Sequence, residues 1–401
     1  MNRRDFLAAA AGVIGVSGAR LALPASAAGG VVPLGSQPSG LPARQHAWAA
    51  TLSTDEHGNP IAPRFDRLLL FDVPEKPTGA DVRTLEASLR TLERTYAWGP
   101  KGLLFTVGWS PHYFEQVLGV RSPIPHPTEL SDFELPTFDD YDACVHLACD
   151  DDRRLVAAET ALRHDLGGVL RWRETRTGFV GTGLPAAHQH ANGIPAGNPV
   201  SPSSPLFMGF KSGFKKNQAS EDDVTITEPP FAGGTTMHVS YMRLRLDSWY
   251  GLLDEKERTA RMYAPEITPA DVVRFTDDAP SEPGRYAQAA RRYGVVGHSQ
   301  TSARARRHGK PLIIRRDFNT VDGGLAGLHF VAVQKSIADF VTTRKAMNAA
   351  NASYLNPSIG DTVNNGINEF IFVLKRANYI LPPRARRSFP LFPGQAAALG
   401  H

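Results

Sequence analysis

Residues 66–73 read DRLLLFDV, and residues 78–95 read TGADVRTLEASLRTLERT. The first stretch is a short apolar run of the kind that forms a strand. The second opens with a capping box at Thr78 and Asp81 and then repeats apolar residues at helical spacing. A strand followed at once by an amphipathic helix is the first half of a β-α-β unit.

The following residues supply the rest of one such unit. Residues 102–108 (GLLFTVG) and 144–149 (CVHLAC) are of strand type, and the acidic residues 150–152 indicate a helix start. Residues 168–173 (GVLRWR) predict the last strand. The resulting order, β-α-β-β-α-β, is that of a ferredoxin-like sandwich.

The same order recurs beyond residues 181–205, a Gly/Pro/Ser/His-rich stretch typical of a domain boundary. The elements predicted there are a strand at 242–247, a helix capped by Asp254, a strand at 328–333, a helix at 336–350 and a strand at 369–374. We therefore predict an α+β fold of two ferredoxin-like β-α-β sandwich domains, of the dimeric α+β barrel type. Their predicted bounds are residues 64–200 and 201–401.

Residues 1–27 have the pattern of a twin-arginine export signal. Arg3 and Arg4 precede Phe6, a weakly apolar Ala-rich run and a small-residue site that ends at Ala27. The apolar run of about 16 residues is short of the ~20 that a membrane span needs. We expect export to the periplasm, cell envelope or extracellular space through the twin-arginine machinery, with no membrane attachment after signal removal. Residues 28–63 predict an N-terminal extension.

Composition and charge describe an ordinary globular protein. The chain has 401 residues, of which 42% are hydrophobic and 21% charged, and its formal net charge is +4. Such a length usually forms more than one core. A net charge this small does not indicate a nucleic-acid partner or binding to an anionic membrane.

Cys144 and Cys149 are the only cysteines of the chain. In an extended strand their Cα atoms would lie roughly 16 Å apart, whereas a disulfide needs less than about 7 Å. We expect both thiols to be reduced and buried.

Two residues are candidates for a ligand-binding or catalytic role, although their spacing alone assigns no role to them. His298 lies in YGVVGHSQ (residues 293–300), a loop or helix start. Arg315 ends the apolar strand PLIIR (residues 311–315). The chain has no Gly-rich phosphate loop after a strand and no G-x-S-x-G motif.

A series of motifs resembles that of the dye-decolourising peroxidases. In order these are residues 206–213 (LFMGFKSG), residues 242–258 (MRLRLDSWYGLLDEKER), His298, residues 312–319 (LIIRRDFN) and residues 323–334 (GGLAGLHFVAVQ). Their order and spacing match across roughly residues 64–385. The resemblance implies two ferredoxin-like halves, a haem b cofactor, hydrogen peroxide and a small-molecule reductant as partners, and twin-arginine export.

The resemblance also implies the roles of individual residues. His298 matches the axial ligand of the haem iron, and Arg315 matches the arginine that stabilises negative charge on peroxide. Gly209, Phe210 and Gly213 match the glycine-rich motif beside the cofactor. The implied activity is oxidation of bulky phenolic or dye-like donors by peroxide.

The chain departs from the family at Ser212, where the motif has an aspartate. A serine hydroxyl is a poor general base, so the change would weaken turnover. Asp317 offers a replacement carboxylate if its side chain turns inward. The alternative, that Asp317 pairs with Arg316, is favoured because such pairs are common and strand neighbours point to opposite faces.

Two other functions stay open at the level of sequence. The loss of the aspartate is compatible with an exported haem- or metal-binding protein without efficient peroxidase turnover. His188 and His190 would project from one side of an extended segment, a geometry that copper or zinc can use. No third ligand of suitable spacing is near them, which favours a polar loop.

Overall fold

A computed structural model describes residues 40–131, 134–272, 288, 292–348 and 366–391. The predicted export signal and the first part of the extension lie outside these ranges. Within the described ranges no helix has the length and apolar character of a bilayer span.

The described elements follow the two predicted repeats. In chain order the strands are β1 (Phe65–Asp72), β2 (Leu104–Trp109), β3 (Thr137–Phe138), β4 (Ala143–Cys149), β5 (Arg171–Phe179), β6 (Thr235–Leu244), β7 (Arg306–Arg307), β8 (Lys310–Pro311), β9 (Ile313–Arg315), β10 (Phe318–Thr320), β11 (Gly327–Gln334) and β12 (Ile371–Leu381). The α-helices are α1 (Gly79–Thr95), α2 (Asp152–Asp165), α3 (Leu184–Ala187), α4 (Leu246–Gly251), α5 (Glu255–Met262), α6 (His298–Ser302) and α7 (Ile337–Asn348). A π-helical turn covers Tyr113–Val117, and 3-10 turns cover Ala49–Thr51, Lys215–Asn217, Pro269–Asp271, Asp322–Gly324, Asn368–Phe370 and Arg384–Arg386.

Helix starts agree with the sequence. Thr78 and Asp81 form the predicted capping box of α1, and Asp254 forms another with Glu257 at α5. Asp151 caps α2 by accepting from the Arg153 amide. The sequence predicts these helix starts correctly because each capping side chain and the backbone amide that it binds lie within one helical turn of each other.

Three strands differ from their predicted bounds. The strand predicted at 242–247 is the end of β6, which begins at Thr235 and ends at Leu244, because Leu246 already begins α4. The strand predicted at 168–173 begins at Arg171 and runs to Phe179, because the Leu166 carbonyl accepts from the amides of Val169 and Leu170 and holds that stretch in a turn. The strand predicted at 369–374 is β12, which continues to Leu381.

The two ferredoxin-like sheets join edge to edge. The strand order is β10-β5-β1-β4-β2-β12-β6-β11, and β11 pairs again with β10, so the antiparallel sheet closes into a barrel. The halves meet where Trp109 pairs with Ile380 and where Asn319 pairs with Phe179. The described residues, from Gly40 to Leu391, belong to one compact unit. The predicted α+β barrel fold is confirmed.

Apolar side chains fill the barrel, and the larger helices cover its outside. The interior cluster contains Leu68, Cys144, Val239, Val331 and Tyr379, among others. Both cysteines are buried and free, as predicted. Because side chains alternate along a strand, the other face of β6, β11 and β12 is available to line a site.

Part of the N-terminal extension packs against the barrel. The Gln45 side chain bonds to the backbone of Val107 and Pro382. Trp48 is 2% exposed and lies against His146, with ring centroids 5.4 Å apart. This segment contacts Arg316, the residue next to Arg315.

Candidate functional site

A cavity opens in the second ferredoxin-like half, and the space between its lining residues, including the part that is open to solvent, is about 1160 Å³. Its floor is the outer face of β6, β11 and β12, and its walls come from α6, α7, the strand break between β9 and β10, and residues 206–214. The lining is largely apolar and aromatic, which is typical of a cofactor or ligand site. The polar residues singled out from the sequence, His298, Arg315, Ser212 and Asp317, all line this one cavity.

His298 is the first residue of α6, and two glycines set its position. A Cβ on Gly297 would lie 1.8 Å from the Tyr263 carbonyl oxygen, so only glycine allows the helix to start against that backbone. Gly366 has a φ of +61°, and a Cβ there would lie 2.9 Å from the His298 amide nitrogen. The backbone of His298 is therefore held by close packing on two sides.

The His298 imidazole is kept neutral. Burial and the charges of Arg315 and Arg344 lower its pKa from 6.5 to about 3. Within the described residues no side chain or backbone group makes a hydrogen bond with this ring. A neutral imidazole with free nitrogens at a cavity wall is the form that binds a metal ion.

Arg315 projects into the same cavity from the end of β9. Its Nε donates to Ser212 Oγ at 3.3 Å. Gln218, which sequence reasoning missed, fixes the Arg315 backbone: its Oε1 accepts from the Arg315 amide at 2.6 Å and its Nε2 donates to the Arg315 carbonyl at 3.3 Å. Burial lowers the pKa of the guanidinium from its high ordinary value, but the group stays charged near neutral pH.

Asp317 does not pair with Arg316, so the favoured interpretation of this residue is wrong. Its carboxylate lines the cavity beside Ser212 and Arg315. Burial raises the pKa of the carboxyl above its usual 3.8, while the charge of Arg315 and a hydrogen bond from Ser212 act in the opposite direction. Among the described residues, the buried Oδ1 atom has no hydrogen-bond partner.

Arg316 turns away from the cavity, because it takes its partners from the N-terminal extension. The guanidinium stacks on the Trp48 ring at 3.7 Å and donates to the His46 carbonyl at 2.5 Å. Glu221 lies 4.0 Å from it. The Arg316 guanidinium therefore interacts with Trp48, His46 and Glu221 and not with Asp317.

The glycine-rich motif forms a loop whose first residues are held by two side chains. Gly209 and Gly213 have φ values of +90° and +84°, which favour glycine, and Phe210 lines the cavity between them. Trp249 Nε1 donates to the Met208 carbonyl at 3.0 Å, and the Tyr250 hydroxyl donates to the Phe207 carbonyl at 2.6 Å. Two side chains of residues 242–258 therefore hold the backbone of residues 206–213 in place.

Sequence reasoning also missed a buried ion cluster at one end of the cavity. Arg344 and Arg376 both line the cavity and share the carboxylate of Glu134, at 3.3 and 2.8 Å. The three residues come from α7, β12 and the loop before β3. Because these residues lie far apart in the sequence, no local pattern predicts that they form one cluster.

His188 and His190 lie away from the cavity, and their segment is not extended. His188 follows α3 in a turn, its ring stacks on Phe179 with centroids 4.0 Å apart, and its Nδ1 bonds to the Leu184 carbonyl. In the part of the chain that the structure describes, no group of three His, Cys, Asp or Glu residues is placed to hold a metal ion.

A family model described as a family of unknown function, DUF7405, matches residues 63–383. The chain belongs to the DUF7405 family. No curated protein sequence matches it.

Solved structures similar to this DUF7405 protein are dye-decolourising peroxidases. A peroxidase of this type from Cellulomonas bogoriensis is 19% identical, with a TM-score of 0.54 over 84% of this chain and 96% of that one. A DypB variant from Rhodococcus jostii in complex with haem is 15% identical, with a TM-score of 0.56 over 86% and 99%. A dye-decolourising protein from V. cholerae is 16% identical, with a TM-score of 0.54 over 85% and 98%. The DUF7405 chain thus has the dye-decolourising peroxidase fold.

Proposed function

We propose that this protein is a haem-dependent peroxidase that uses hydrogen peroxide to oxidise bulky phenolic or dye-like donors. One observation carries the proposal: a single apolar cavity holds a neutral imidazole, without a hydrogen-bond partner among the described residues, together with an arginine and a carboxylate. The fold shared with dye-decolourising peroxidases supports it. So does the haem complex of one of those relatives.

The residues of the cavity fit haem b. The free His298 ring supplies the kind of ligand that haem iron takes in peroxidases. The apolar floor, which includes Met242, Leu328 and Val373, suits a flat hydrophobic ring. When bound, haem supplies the oxidising equivalents that peroxide leaves on it and passes them singly to a reductant.

Arg315 provides a fixed positive charge where peroxide would lose its oxygen–oxygen bond. A guanidinium held in place stabilises negative charge as it develops, without reorganisation at that moment. Two hydrogen bonds from the Gln218 side chain hold the Arg315 backbone in place.

Asp317 takes the role of the proton acceptor and donor in this proposal. Its unpartnered Oδ1 accepts the proton of the incoming peroxide and returns it to the departing oxygen. Ser212 accepts from Arg315 and lies beside this carboxylate in the cavity. The raised pKa suits a group that must hold the proton between the two steps.

We further propose that the protein folds and takes up haem in the cytoplasm and leaves through the twin-arginine pathway. The support is the pattern of Arg3, Arg4 and the weakly apolar run after them. This route accepts folded proteins, which suits a protein with a buried cofactor.

Absorbance spectroscopy and steady-state kinetics on the purified protein test the proposal together. We expect a haem Soret band and peroxide-dependent oxidation of a phenolic dye well above free haem. Haem binding with background turnover would instead favour a haem-binding protein without peroxidase function. Absence of haem, with copper or zinc found by metal analysis, would overturn the assignment.

A further inference from the structure

The N-terminal extension forms a short hairpin beside the glycine-rich loop. Thr54 and Pro60 pair in an antiparallel bridge, and the Asp55 amide donates to the Asn59 carbonyl at 2.9 Å. The Asp55 carboxylate closes the turn, because its Oδ1 accepts from the amides of His57 and Asn59 at 3.0 and 2.8 Å. The backbone of the hairpin therefore fixes the position of the Asp55 carboxylate.

This hairpin holds the glycine-rich loop on both sides of Ser212. Asp55 forms an ion pair with the ammonium group of Lys211. Asn59 is 4% exposed, and its Oδ1 accepts from the Lys215 amide at 2.8 Å. One contact holds a side chain of the loop and the other holds its backbone, so loss of the ion pair would free the Lys211 side chain and leave the backbone contact in place.

The Asp55 carboxylate is the counter-ion of Lys211. Its Oδ2 binds the lysine ammonium and accepts from Asn59 Nδ2 at 3.3 Å. Burial acts to raise the pKa of this carboxyl, but hydrogen bonds from Lys211 and Asn59 outweigh it and hold the pKa well below the usual 3.8. Asp55 therefore keeps its negative charge beside Lys211 in acid as well as at neutral pH.

A second carboxylate lies within the cavity that Lys211 lines. Lys211 immediately precedes Ser212, and Asp317 lines the same cavity. Among the described residues, the buried Oδ1 of Asp317 has no hydrogen-bond partner. A lysine carries its charge on a long flexible stem. An ammonium released from Asp55 could therefore pair with Asp317.

Such a pair would change the chemistry of Asp317. Burial raises the pKa of its carboxyl, the charge of Arg315 acts in the opposite direction, and the charge of Asp66 raises it. A second cation in contact would favour the ionised form and lower the pKa by roughly one to three pH units. A carboxylate with a lower pKa is a weaker acceptor for a proton from a ligand.

We propose that Asp55 is a positioning residue that holds the Lys211 ammonium away from Asp317. Asp55 acts only through Lys211, and its effect is to keep the Asp317 carboxylate free to accept a proton. The separation of the two side chains is independent of haem and goes beyond the proposed function. Its benefit to the reaction with peroxide rests on the proposed function.

Infrared spectroscopy of the purified protein across a pH series tests this role. A protonated carboxyl has a C=O stretch, so the difference between each protein and its Asp317→Asn counterpart follows the ionisation of Asp317. Asp55→Asn keeps an oxygen for the hairpin amides but frees Lys211, so the titration should move to lower pH by about one unit or more. Asp222→Asn is the matched control, because it breaks the ion pair of the same extension with Arg44 and should leave the titration unchanged.

A second substitution separates this role from a structural one. Lys211→Met in the Asp55→Asn protein removes the released ammonium and should return the titration to its native pH. A general loosening of the hairpin would not be reversed in this way. Lys211→Met alone should titrate as the native protein does. An Asp55→Asn protein with the native titration would overturn the role of Asp55, and so would a double variant that keeps the shifted titration.

Salt tests the same ion pair without any variant of Asp55. The side chains of Asp55 and Lys211 are 24% and 29% exposed, so about 1 M salt should weaken the pair. The Asp317 titration should then move to lower pH in the native protein but not in Lys211→Met, and equal responses would count against the proposal. The infrared measurement needs no haem, so the expected titrations in a protein without peroxidase activity would contradict the proposed function and not the role of Asp55.

Discussion

Arg315 Nε donates to Ser212 Oγ at 3.3 Å, and Asp317 lines the same cavity beside this pair. Asp317 lies in the break between β9 and β10, two residues after Arg315, so the guanidinium, the hydroxyl and the carboxylate line one cavity. In the proposed function this carboxylate is the acid/base group.

Asp317→Asn should slow the reaction with peroxide by about 10²-fold or more, because the amide cannot accept a proton. The native rate should fall as pH decreases through the carboxyl's pKa, since only the ionised form is a base. That pKa is raised by burial, so the decline should lie above the usual 3.8. Stopped-flow mixing with peroxide across a pH series measures both effects, and the acid decline should be absent in the variant.

Ser212→Asp is the matched test of the same arrangement. It places a second carboxylate beside Asp317, where like charges oppose double ionisation, so we expect no acceleration. An Asp317→Asn protein with native rate and native pH profile would show that another group handles the proton.

Arg315→Leu and Arg316→Leu should have different effects although the residues are adjacent. Loss of Arg315 removes the charge in the cavity and should lower the peroxide rate by about 10²–10³-fold. Loss of Arg316 removes the stacking on Trp48 and should lower the free energy of unfolding, with a rate within a few-fold of native. Similar rate losses in both folded variants would contradict the assignment of Arg315.

Gly297→Ala should lower both the melting temperature and the affinity for haem. The new Cβ would approach the Tyr263 carbonyl to 1.8 Å and displace the start of α6, which carries His298. Gly251→Ala is the control, since a Cβ there meets no atom within 4 Å. Thermal unfolding and haem titration measure the two effects, and unaltered haem affinity in Gly297→Ala would mean that this contact does not position His298.

Replacement of both Arg3 and Arg4 by lysine should block export, because the twin-arginine machinery recognises the pair. Arg20→Lys changes an arginine of the same segment outside the pair and should be exported normally. Fractionation with N-terminal sequencing should find the native mature form beginning near Ala28. Normal export of the double variant would exclude this pathway.

Local patterns predict much of this fold. The capping residues Thr78, Asp151 and Asp254 act within one turn, so their effect is visible in a short window of sequence. Closure of the barrel is different, because it depends on the pairing of Trp109 with Ile380 and of Asn319 with Phe179. Neither contact leaves a local periodicity.

The candidate site shows the same limit. Strand alternation was used to favour an ion pair between Arg316 and Asp317, and that pair is wrong, because both residues lie in the break between β9 and β10. Arg316 instead takes Trp48 and His46 as partners, and these lie far away in the sequence. The roles of His298, Arg315 and Ser212 stay predictions carried by resemblance and supported by their common cavity.

The absorbance spectrum of His298→Ala tests the central proposal most directly, with His188→Ala as the control. The native protein and His188→Ala should both show the Soret band of histidine-ligated ferric haem, since His188 lies on Phe179 away from the cavity. His298→Ala should lose this band or shift it strongly, because the described cavity offers no other imidazole. A Soret band in folded His298→Ala identical to that of the native protein would contradict the account.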